Sequence, residues 1–163
     1  MPLSSPPDDI SAEQLDKLIA HLTADSQFNT LVDLPILPYP PDGMPATHPE
    51  RVCSIWFVDS EITYADNASN KEDNIFRLQI KVRESGTDLA DLAASHRLAM
   101  NLKDVAQQAL WRYRKDDCTS PPALWWRMQF AVPSGRIYRL PEEKLQVVEV
   151  GFKLASLQIN RPK

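Results

Sequence analysis

The side chains best suited to chemistry near neutral pH are scattered along this chain. His21, His48 and His96 stand apart, and none forms a recognised metal-binding arrangement with a neighbouring His, Cys or carboxylate. Cys53 and Cys118 have neither metal-ligand nor CxxC spacing, so reduced thiols are expected. The acidic pairs Asp116–Asp117 and Glu142–Glu143 are adjacent in sequence, but hydrolytic chemistry needs carboxylates gathered from separate elements around a metal or cleft. Phosphate-binding loops, dinucleotide fingerprints and nucleophile elbows need closely spaced glycines, because the backbone must bend sharply or approach a phosphate. Gly43, Gly86, Gly135 and Gly151 stand alone. The common nucleotide-dependent enzymes and α/β hydrolases are therefore disfavoured, no cofactor or metal is expected, and the chain reads as a non-enzyme.

One cluster joins aromatic and cationic groups: Trp111, Arg112, Tyr113, Arg114 and Lys115. Such a run can stack bases and neutralise phosphates. The simpler reading packs Trp111 beneath a helix whose negative C-terminal end the cations complement. His96 falls among Leu92, Ala93 and Met100 at helical spacing, where a lone histidine is expected to be a hydrogen-bonded packing residue.

The elements that would position these groups follow from periodicity. Ser11 begins S-A-E-Q, a capping box in which Gln14 reaches back to the helix start, and Ile10 can staple against Leu15. Leu15, Leu18, Ile19 and Leu22 then form an apolar stripe on a helix over 12–24. A short strand near Thr30–Leu34 precedes a Pro-rich loop over 35–49, whose prolines exclude a helix interior or central strand. VCSIWFVDSEITY reads as a strand, ADNASNKEDN as a polar turn, and NIFRLQIKVR as a strand. In the last, Ile75, Leu78, Ile80 and Val82 oppose Arg77, Gln79, Lys81 and Arg83, with Phe76 breaking the pattern. Thr87 or Asp88 caps a long helix over 88–111. Its broad apolar face takes in Leu89, Leu92, Ala93, His96, Ala99, Met100, Leu102, Val105, Ala106 and Ala109. Beyond Pro121–Pro122, ALWWRMQFAV, RIYRL and LQVVEVGFKLASL read as three more strands; Trp125 and Trp126 would point to opposite faces of theirs. The order α, β, β, β, α, β, β, β favours an α+β fold, with an antiparallel or mixed sheet and the N-terminal and long central helices on one face.

Composition sets the frame around these elements. A chain of 163 residues with 43% hydrophobic and 25% charged residues fits one domain over 1–163, with residues 1–9 as a flexible leader. With 14 prolines and only 4 glycines, its connections should be stiff. No apolar run is long enough to span a bilayer, and MPLSSPPDDI lacks the features of a signal peptide, so no membrane partner and a cytosolic site of synthesis are expected. The net charge of −4 conceals a split. Residues 1–73 hold 13 acidic and 3 basic side chains, a balance of −10, whereas 74–163 hold 9 and 15, a balance of +6. Such halves can meet within a subunit or between neighbours.

The stretch NIFRLQIKVRESGTDLADLAASHRLAMNLKDVAQQAL resembles the centre of phage tail terminator and related minor capsid (tail completion) proteins, where a strand ending in a V-R-like pair leads into a long Ala-rich helix. The N-terminal amphipathic helix and the C-terminal LQVVEVGFKLASL resemble the rest of that plan, while the loop at 35–49 departs from a short version of it. The resemblance implies a homo-oligomeric ring, usually a hexamer, located at the tail–neck of a virion. The ring docks on the tail tube protein, stops its polymerisation and receives a neck or head-completion protein. The resemblance further implies a lumen through which genomic DNA can pass without specific binding. Expected interface residues are Tyr39 and Met44 in the Pro-rich loop, Arg77, Lys81 and Arg83 on the polar strand face, and Arg112 and Arg114 at the helix end. The alternatives are another tail, neck or baseplate subunit, or a small nucleic-acid-binding module or small enzyme using the 111–118 region.

Overall fold

The computed structural model describes residues 10–64, 69–116, 127–130 and 134–159. The 1–9 leader, Asp117, Cys118, Pro121, Pro122, Trp125 and Trp126 lie outside them. The elements run α1 (Ile10–Ala24), β1 (Asp33–Leu37), β2 (Arg51–Tyr64), β3 (Ser69–Arg83), α2 (Leu89–Asp116), β4 (Arg127–Phe130), β5 (Arg136–Leu140) and β6 (Leu145–Ile159), the order read from the sequence. They form one six-stranded sheet in the order β1-β2-β3-β6-β4, with β5 also on β6. Only β1 and β2 are parallel; every other pair is antiparallel, so the fold is α+β with a mixed sheet.

Strands β3 and β6 pair without a register shift from Ser69↔Ile159 to Arg83↔Leu145, so β4 and β5 share the outer side of β6. The pairing puts Asn74, Phe76, Leu78, Ile80 and Val82 on one face with Ile55, Cys53, Val148, Val150, Phe152 and Leu154. Both helices cover that face, and the core joins these strand residues to Leu18, Leu22, Ala99, Leu102, Ala106, Ala109, Leu110 and Tyr113. Phe76 therefore keeps the alternation. Ile75 is the residue that falls on the opposite face.

Helix α2 is rotated relative to the expected face. Ala99, Leu102, Ala106 and Ala109 are fully buried as predicted, but Leu89 is 86% exposed and Met100 48%, with Ala93 and His96 exposed beside them. Small side chains let the helix approach the large Phe and Leu residues of the sheet, and the bulkier Met100 is left outside. Asp88 is the cap: its backbone carbonyl accepts from the N–H of Leu92 (3.0 Å) and its carboxylate from that of Asp91 (2.8 Å). Gly86, at φ 75°, makes the turn into the helix, where a Cβ would collide with the Asp91 carboxylate.

Helix α1 begins at Ile10, so Ser11 lies inside its first turn and not at the cap. Gln14 does not reach back. It is fully buried, and its Oε1 accepts from Asn74 Nδ2 at 2.9 Å, tying α1 to β3.

The first strand is Asp33–Leu37, later than the predicted Thr30–Leu34, and it takes Pro35 into an edge position that a proline tolerates. Because β1 and β2 run parallel, the chain must cross over between them. Residues 38–50 make that crossing with prolines instead of a helix, so the Pro-rich loop begins at 38 and not at 35.

Candidate functional site

Three of the seven predicted interface residues, Arg77, Lys81 and Arg83, fall on the face of the sheet away from the helices. Val52, Lys81 and Val147 are neighbours there by register, and all three are buried. The Lys81 ammonium donates to the carbonyl oxygens of Pro41 (2.8 Å) and Gly43 (3.4 Å), which pins the Pro-rich loop across this end of the sheet. Arg83 Nε donates to Pro49 O (2.9 Å). His48 is buried in the same loop, its Nε2 2.7 Å from Pro35 O and its Nδ1 2.8 Å from the Thr47 hydroxyl. Lys81, Arg83 and His48 thus hold the chain to itself. Replacing Lys81 with Met keeps the apolar stem but leaves two carbonyls without their donor. The expected result is faster proteolytic cleavage within 38–49 and a stability loss of about 1–2 kcal/mol; a cleavage rate equal to wild type would show that the ammonium does not hold the loop.

Further along this face, Glu149 is the centre of a charged network. Its carboxylate accepts from the Tyr138 hydroxyl (2.7 Å), Arg136 Nε (3.1 Å) and Gln79 Nε2 (3.2 Å), with Arg77 Nε 3.8 Å away. Burial acts to raise the Glu149 pKa, but the hydrogen bonds from Tyr138, Gln79 and Arg136 outweigh it, and the carboxyl lies below its ordinary value. Arg136 also lies over the Tyr138 ring, 5.0 Å from its centroid. Burial and the neighbouring Glu149 push the Tyr138 hydroxyl up. Arg77 remains 43% exposed.

The other predicted residues divide. Tyr39 is 57% exposed at the start of the Pro-rich loop, and Met44 is half-buried within it. Arg112 forms a two-pronged pair with Asp25 (2.8 and 2.9 Å) that joins α2 to the end of α1. Arg114 lies on α2, with its side chain outside the described part. Trp111 does not pack beneath the helix: it is 53% exposed and stacks on Phe130 of β4, centroids 6.1 Å apart. Tyr113 is buried, its ring tilted 5.1 Å from that of His21. The 111–113 segment therefore divides between solvent, an ion pair and the core. An open hollow beside it is lined by Asp104, Gln107, Gln108, Trp111, Arg112 and Phe130, with no nucleophile–base pair among these residues.

Among the described residues, no group of His, Cys, Asp or Glu is placed to hold a metal ion, and no helix is long and apolar enough to cross a membrane. Cys53 is a free thiol, fully buried, and burial pushes its pKa far up.

What the surface does offer is exposed apolar area and open strand edge. Phe57, Val58 and Ile62 of β2 are 43, 43 and 63% exposed. Strand β1 covers β2 only along Val52–Ser54, so from Ile55 to Tyr64 the side of β2 away from β3 is unpaired among the described residues. An open strand edge flanked by exposed apolar side chains is a template on which another chain can pair.

The fold is shared with a virion component. A chain from the solved structure of the virion of a native gene transfer agent particle superposes with a TM-score of 0.53 at 13% identity, over 92% of this chain and 99% of that one. No protein-family model and no curated protein sequence matches.

Sequence reading did not identify the β2 edge as a surface. The signal available was the unbroken pair of aromatic and apolar residues Phe57–Val58, where strict alternation lapses. The register shift between Phe57 and Asp59 falls at this point.

Proposed function

We propose that this chain is a structural virion protein that acts as a tail terminator. In this reading copies close into a ring, the hexamer that the family resemblance implies, that seats on the tail tube, ends its growth and presents its far side to a neck or head-completion protein. The single observation behind the reading is the fold likeness to a chain of the gene transfer agent virion, which runs over nearly the full length of both chains. It agrees with the sequence resemblance to tail terminators.

The mechanism is geometric and needs no chemistry. Each subunit binds the next heterologously, and closure uses up the lateral surfaces. One axial side of the ring matches the tube and the other does not, so addition stops. A wall free of strong cationic sites lets DNA slide through, because several phosphate contacts would hold it. The net charge of −4 and the internal use of Lys81, Arg83 and Arg112 support that role.

Particles assembled without this chain test the proposal by electron microscopy. Tubes that run past their normal length are expected, with no heads joined to them. Tails of normal length lacking only a baseplate or tip would assign the chain to another position in the tail.

A further inference from the structure

We propose that the unpaired stretch of β2 is the lateral seat for a second copy of this chain, and that it receives the opposite edge of the neighbour's sheet, made by β4 and β5. The inference rests on the ring reading above and specifies which surfaces close the ring.

The two ends of the sheet differ in character. On one, β2 is free from Ile55 to Tyr64 and displays exposed Phe57, Val58 and Ile62 together with exposed Asp59 and Glu61. The rest of that end is β1, a five-residue strand carrying Pro35, which removes one backbone donor and blunts the edge. On the other end, the outer sides of β4 and β5 have no strand partner among the described residues, and these strands carry Arg127, Arg136 and Arg139. Arg136 and Arg139 each satisfy one internal carboxylate, Glu149 and Glu84, yet their side chains remain 62 and 42% exposed.

Charge decides which edges meet. Antiparallel pairing of β2 with its own copy centred on Ser60, in the middle of the free acidic stretch, would set Asp59 of each copy against Glu61 of the other, and like charges opposite one another in a sheet destabilise it. Pairing β2 with the arginine-bearing edge sets acid against base, adds backbone hydrogen bonds along the strand and covers Ile62. The first arrangement also ends at a dimer. The second leaves the growing assembly with one open edge of each kind at its two ends, so it propagates until a ring closes.

The test is the mass in solution, by light scattering, of the full chain and three variants whose circular dichroism and melting match wild type. Ile62→Lys and Glu61→Arg are each expected to reduce the closed oligomer to monomer at concentrations where wild type is fully assembled. Arg136→Gln, which keeps a hydrogen-bond donor beside Glu149 and removes the charge from the edge, should also shift the closed oligomer towards monomer at that concentration. A closed oligomer that persists in all three variants would overturn the edge assignment and leave the ring reading standing. Wild type that stays monomeric at high concentration would overturn both. Dimers from wild type, lost with Ile62→Lys but not with Arg136→Gln, would mean that β2 pairs with itself.

Discussion

Replacing Phe76 with alanine should lower the free energy of unfolding by about 3–5 kcal/mol, measured by denaturant titration. Phe76 is fully buried in the middle strand pair, with the Phe152 ring stacked 5.9 Å away and the Phe57 ring edge-on at the same distance. Removing its ring takes away the transfer free energy of a large side chain and two aromatic contacts. It also leaves a cavity that the continuous β3–β6 pairing resists collapsing. Phe76→Leu, which keeps most of the volume, should cost less than half as much. A loss below about 1.5 kcal/mol for the alanine variant would mean that the three rings are not a packed unit.

Asp25→Ala is expected to cost about 2–4 kcal/mol. The Asp25 carboxylate, just beyond the end of α1, caps the turn that follows by accepting from the N–H groups of Phe28 (3.0 Å) and Gln27 (3.1 Å), and it takes both hydrogen bonds from Arg112. The variant loses this local cap and a charge-assisted pair between helices at once. The Arg112 hydrogen bonds hold the Asp25 carboxyl below the ordinary carboxylate range, against the opposing effect of burial. Glu84 lies low too, chiefly through its two hydrogen bonds from Arg139. A depressed folded-state pKa contributes stability that is present above the unfolded carboxylate pKa and lost as pH falls through the folded one. Wild type should therefore weaken on acidification below about pH 4, and Asp25→Ala should show a shallower dependence there. Identical acid profiles for the two proteins would remove Asp25 from this account.

Much of the architecture was legible because period-2 and period-3.6 patterns report burial directly. Leu78, Ile80 and Val82 alternate, as do Val148, Val150, Phe152 and Leu154, and both sets lie in the core. The helix face was harder. Alanines fit both a buried and an exposed surface, so the run from Leu89 to Ala109 does not fix its own rotation; the sheet beneath, which needs small residues at Ala99, Ala106 and Ala109, does. The roles of Lys81 and Arg83 were hidden for a related reason. Alternation assigns them to a polar face but says nothing of what covers it, and the carbonyls that hold them lie 34–40 residues away in sequence. Asp25 and Arg112, 87 residues apart, are joined only by the packing of two helices. The parallel β1–β2 pair depends on a Pro-rich crossover that carries no periodic signal.

The unshifted ladder between β3 and β6 gives the subunit a direction of mechanical strength. Both strands are 15 residues long and pair from end to end, a length of ~50 Å. Tension along the strands is borne by all their cross-links together, whereas a pull across the sheet would part them in succession. A subunit loaded along one axis would resist best with these two strands aligned to the force.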